Sequence, residues 1–192
     1  MIHYQSDTVK NNETVGGMTI EDVRYHEAGH YVVAKRLNIP VIEIKATTEL
    51  GHVIVGCEYK LDISQEGSIG ILGRFVRLSD GILEADQCDI VVRFIKVLFA
   101  GHSTFFIQAT EKPESRDATA TYQFSDKDFW LINLLIPILE RSLSCKGLWE
   151  RLDKESKELV RQNWEEVESM VNQLSKAECI TFSHSDHDGL EI

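Results

Sequence analysis

His26, Glu27 and His30 stand together in the string Arg24-Tyr25-His26-Glu27-Ala28-Gly29-His30, and their spacing suits an α-helix. Four residues of helix turn through about 400° and climb about 6 Å, so His26 and His30 project from one face on successive turns. The flanks argue for the same conformation. Thr19-Ile20-Glu21-Asp22 has the form of a helix-start capping box, Val23, Ala28, Val32, Val33 and Leu37 supply apolar contacts, and Asn38-Ile39-Pro40 closes the segment. Ala28 and Gly29 leave room for another backbone to approach this helix, although Gly in a helix interior costs about 1 kcal/mol relative to Ala.

Two imidazoles one turn apart can share a single metal ion, because zinc takes nitrogen ligands at about 2.0–2.1 Å. Glu27 follows the first imidazole directly and sits round the helix from the pair. Its carboxylate is suited to act as general base on an attacking water rather than as a ligand. The pattern therefore predicts a hydrolytic zinc centre with His26 and His30 as metal ligands and Glu27 as the catalytic base.

The seven residues from Arg24 to His30 resemble the opening of the peptidase domain of FtsH-type zinc metalloproteases. The order of later segments is also similar. An extended pair, Val41 to Thr47 and Gly51 to Tyr59, resembles the family's short β-ribbon, and Asp89 to Ala100 followed by Gly101-His102 resembles a helix ending in a Gly-Gly-Arg-like turn. The resemblance implies a mainly α (α+β) fold, a helical array with a small β-ribbon. It also implies a zinc metalloendopeptidase that cuts peptides or unfolded proteins, with an aspartate at the start of a later helix as third ligand. The chain departs from the pattern in places. Ala100 to Phe106 lacks the acidic pair of that turn, and Glu111 to Phe124 lacks the Gly-Ala-x-x-Asp signature. The sequence holds no Gly-x-x-x-x-Gly-Lys-Ser/Thr phosphate loop, so it is expected to act without ATP on its own.

The third ligand falls in the run Ser125 to Ile136. Counting one helix face from Asp128 gives Ile132, Leu135, Ile136 and Leu139, wholly apolar, whereas Asp126 leads through Trp130 and Asn133. Asp128 is the preferred metal ligand; Asp126, Asp117 and His102 are the alternatives, and Ser125 with Asp128 also fits a helix cap. The alternative function is a catalytically silent scaffold that binds a protein partner.

Charge narrows the partners. With 31 acidic against 20 basic residues and a net charge of −11, the chain is a poor match for nucleic acid, and no basic stripe carries interleaved aromatics. Cys57, Cys88, Cys145 and Cys179 form no C-x-x-C pair and read as reduced thiols. Met1 to Gly17 lacks the basic and apolar regions of a signal peptide, which makes a cytoplasmic location the expectation. No membrane span is expected, since no run approaches about 18 consecutive apolar residues. Residues 1–18 read as a flexible arm, 19–180 as the domain and 181–192 as a flexible acidic tail, where His184, Asp186, His187 and Asp188 are expected to be solvated. Gly67 to Gly73 reads as a loop rather than a nucleotide fingerprint. Pro137 is expected to kink or end the apolar helix from Asp128 to Cys145. Leu148, Leu152, Leu159, Val160, Trp164, Val167, Met170, Val171 and Leu174 then mark one long amphipathic helix, its stripe suited to core packing first and to a homo-oligomer or partner contact second.

Overall fold

The computed structural model describes residues 19–47, 51–55, 82–111 and 126–182. Helix α1 (Ile20–Arg36) opens on the capping box expected for it. The Thr19 hydroxyl accepts from the Asp22 amide at 3.1 Å, and the Asp22 carboxylate accepts from the Thr19 amide at 2.9 Å. Every residue from Tyr25 to Ala34 is buried, so α1 is a central helix enclosed on all sides rather than a surface helix with one apolar stripe.

Helix α2 (Ala85–Glu111) packs along α1. Gly101 does not end this helix, in contrast to the turn that the resemblance implies; the helix continues ten residues further. Ser103 and Thr104 turn their hydroxyls back onto the Phe99 and Ala100 carbonyls at 2.9 and 2.8 Å, which keeps these side chains inside the helix line. The α2 segment Ala85–Gln108 is long and apolar enough to cross a membrane by length and composition alone, and most of it is buried within the molecule, as the core helix of a folded protein is.

Helix α3 (Asp126–Ser142) buries Ile132, Leu135, Ile136 and Leu139, the face counted from Asp128, and leaves Trp130 half exposed. Pro137 does not end the helix. Pro137 and Asn133, the residue whose carbonyl it cannot serve, both lie on the exposed face of the helix. The chain leaves α3 through Ser144, at φ 50°, and the Cys145 amide donates to Glu140 at 3.0 Å, a Schellman-type stop.

The long amphipathic helix is in fact two helices, α4 (Leu148–Gln162) and α5 (Trp164–Leu174). The break is at Asn163, whose side-chain amide donates to the Leu159 carbonyl at 2.7 Å while its backbone leaves helical geometry at φ −121°. The break lets one apolar stripe serve two places. Leu148 and Leu152 join a cluster with α2 and α3, while Val160, Trp164, Val167, Met170, Val171 and Leu174 join a cluster with α1. The stripe is thus spent on the core.

The ribbon forms as expected, with β1 (Val41–Ala46) antiparallel to β2 (Gly51–Val55). A third strand, β3 (Cys179–Thr181), pairs antiparallel with β1, giving the order β2-β1-β3. Phe182 continues this contact: its amide donates to Ile42 at 2.9 Å, and its ring stacks on Tyr31 at 5.1 Å. Ile180 and Phe182 are partly buried against the apolar cluster that includes α1 and α5. Residues 1–18, Cys57, Gly67 to Gly73 and the tail from Ser183 lie outside the described residues.

Candidate metal centre

Helix α1 carries His26 and His30 one turn apart, and α3 brings Asp128 to them from 102 residues away. The three facing atoms form a nearly equilateral triangle. His26 Nε2 lies 3.0 Å from His30 Nε2 and 3.2 Å from Asp128 Oδ2, and His30 Nε2 lies 3.3 Å from the same oxygen. Ligands at about 2.0–2.1 Å from a tetrahedral zinc are separated by about 3.3 Å, so the donor atoms fit one ion with little adjustment. Among the described residues these three are the group that can hold a metal.

The ring of His30 is fixed by the fold. Its Nδ1 donates to the Val97 carbonyl of α2 at 2.6 Å, which turns Nε2 toward the triangle. His26 is held differently. Its Nδ1 is buried without a hydrogen-bond partner, and its ring meets His30 edge-on at 4.5 Å and Phe105 at 5.7 Å. Gly29, between the two histidines, lets α2 approach: a Cβ there would stand 2.1 Å from Thr104 Oγ1 and 2.8 Å from the Ala100 carbonyl oxygen. The small residues in the motif serve the close approach that the sequence suggested.

Electrostatics favours a cation inside the triangle. Burial alone would lower the pKa of His30, but the Asp128 carboxylate, helped by Glu27 and the Val97 carbonyl, pushes it up to about 9. Burial would raise the pKa of Asp128, and the two histidines outweigh it and hold the carboxyl well below the usual range. The group keeps a proton on His30 at neutral pH, in the place that a divalent ion would take. Glu27 is buried beside the pair and adds negative potential at His30.

Of the alternative ligands, His102 is buried on α2 outside the triangle, and burial lowers its pKa to about 4. Asp117 and the side chain of Asp126 lie outside the described residues. The contributions of Val97 and Gly101 escape a reading of the sequence. A main-chain carbonyl carries no letter, and a glycine after an apolar helical run has the same form as a helix end. The chain matches no protein-family profile and no curated protein sequence.

Proposed function

We propose that the chain is a zinc-dependent metallopeptidase that hydrolyses peptide bonds in flexible or unfolded substrates, similar in its site to FtsH-type peptidase domains. The observation that carries this reading is the convergence of His26 Nε2, His30 Nε2 and Asp128 Oδ2 within 3.0–3.3 Å of one another, with a buried Glu27 beside them. Two histidines and a carboxylate also suit non-haem iron. Glu27 favours zinc hydrolysis, since a carboxylate next to the ligands supplies the base that peptide hydrolysis needs.

His26, His30 and Asp128 would hold the ion, which when bound polarises the scissile carbonyl and makes water a stronger acid. Glu27 accepts the proton of the attacking water and delivers it to the leaving nitrogen. Val97 keeps His30 in the tautomer that offers Nε2. The strand β2, at one edge of the sheet, offers main-chain groups along which an extended peptide can lie with little sequence preference.

Metal analysis of the purified full chain, followed by cleavage of an unfolded protein such as casein, tests this reading. One zinc per chain is expected, lost in His26→Ala; Glu27→Gln should retain zinc and lose cleavage. A chain that takes up no zinc on supplementation, or a Glu27→Gln variant that cleaves at the wild-type rate, overturns it.

A further inference from the structure

Helix α2 donates no ligand to the triangle, yet it touches both histidines. Helices α1 and α2 run antiparallel, so His30 faces Val97 and His26 faces Gly101, four residues apart on each helix. The two supports differ in kind. At position 97 the support is a hydrogen bond from the ring to a carbonyl. At position 101 it is contact alone: a Cβ on Gly101 would stand 2.3 Å from His26 Cε1, 2.5 Å from Nδ1 and 2.7 Å from Nε2. Separations below about 3 Å are inside the van der Waals limit, so no other side chain fits beneath the ring as it stands.

We propose that Gly101 is a positioning residue for metal binding, which seats the His26 imidazole on the backbone of α2 where a hydrogen-bonding partner would otherwise orient it. The inference rests on the metal-centre reading above. Metal-binding histidines are usually oriented by a polar partner on the second ring nitrogen, and loss of that partner weakens metal binding about 10–100-fold. His26 Nδ1 has none, so its orientation depends on the surfaces that enclose it: His30, Phe105 and the bare α-carbon of Gly101. Glycine in the interior of a 27-residue helix costs helical stability, and the cost is explained if the missing Cβ is what the His26 ring requires.

The test compares Gly101→Ala in the wild-type chain and in a His26→Ala background. In the wild-type chain, Gly101→Ala should weaken zinc binding at least about tenfold, measured by competition with a chromophoric chelator, and should shift the visible absorption of the cobalt-substituted protein. In metal-free His26→Ala protein the ring is gone, and the same substitution should raise the Tm by about 2–4 °C, as Ala replaces Gly within a helix. If Gly101→Ala alone does not fold, folding of the double variant supports the proposal and its failure to fold overturns it. Unchanged zinc affinity in Gly101→Ala, or a lowered Tm in the His26→Ala background, also overturns it. A wild-type chain that binds no zinc removes the metal centre itself, and is recognised without any variant.

Discussion

Loading the metal should expel a proton, and the structure says which one. At neutral pH His30 carries a proton because Asp128 outweighs the effect of burial and lifts its pKa to about 9. Zinc takes the neutral imidazole, so binding at pH 7 must release about one proton from His30. Being about two units below that pKa weakens the apparent affinity by about two orders of magnitude relative to its high-pH limit. Titration calorimetry at pH 7 in buffers of different ionisation enthalpy reads the proton directly, as the slope of observed heat against buffer enthalpy. The slope should be about one, and the logarithm of affinity should rise by about one for each pH unit up to about 9. Asp128→Asn removes the charge that raises the pKa of His30, so its weaker zinc binding should release no proton from His30 at pH 7. A buffer-independent heat in the wild type, or the same proton count in Asp128→Asn, would refute the electrostatic argument. The metal-free fold carries the same signature. The folded pKa lies above the unfolded value of 6.5, so His30 contributes stability fully present below pH 6.5 and lost as the pH rises through about 9. Chelated protein should lose up to about 3 kcal/mol across that window, and zinc-loaded protein should not.

Two further outcomes test the packing and the second histidine system. Gly29→Ala drives a Cβ to 2.1 Å from Thr104 Oγ1 and 2.8 Å from a backbone oxygen, so it should cost about 1–3 kcal/mol in urea unfolding despite the better helix propensity of Ala. An unchanged midpoint would show that α1 and α2 are not in the close contact described. His102 is buried and its folded pKa is lowered to about 4, so its neutral form is favoured in the folded chain. Its contribution is present above pH 6.5 and is lost as the pH falls toward 4, by up to about 3 kcal/mol; His102→Gln should flatten the fall in Tm of the metal-free protein over that range. Parallel wild-type and variant curves would refute the assignment.

The parts of this fold that the sequence discloses are those governed by local periodicity. The capping box at Thr19 and Asp22, the α1 helix, the ribbon and the apolar face of α3 follow from spacing alone, because each element brings its own pattern to a core that accepts it. Periodicity does not register a break that preserves phase. Asn163 interrupts the stripe of α4 and α5 without shifting which residues are apolar, so one helix and two helices leave the same pattern. The third strand is missed for another reason. β3 is three residues long, and what makes it a strand is β1 beside it rather than any alternation of its own.

The candidate metal centre divides along the same line. His26 and His30 belong to one helix, so their joint geometry is contained in a spacing of four, and Asp128 is recoverable because it heads the one face of α3 that is apolar throughout. What fixes the angles of the rings is not contained in any spacing. Val97 acts through a carbonyl that every residue has, and Gly101 acts through an atom it lacks. Both act from α2, whose register against α1 arises only when the helices pack, and that packing depends on Gly29 letting them approach. The same glycine letter therefore has two uses here that the sequence does not distinguish from a helix stop. The candidate ligands of such a site are written in the sequence, whereas the precision with which they would hold an ion is set by the contact between two helices.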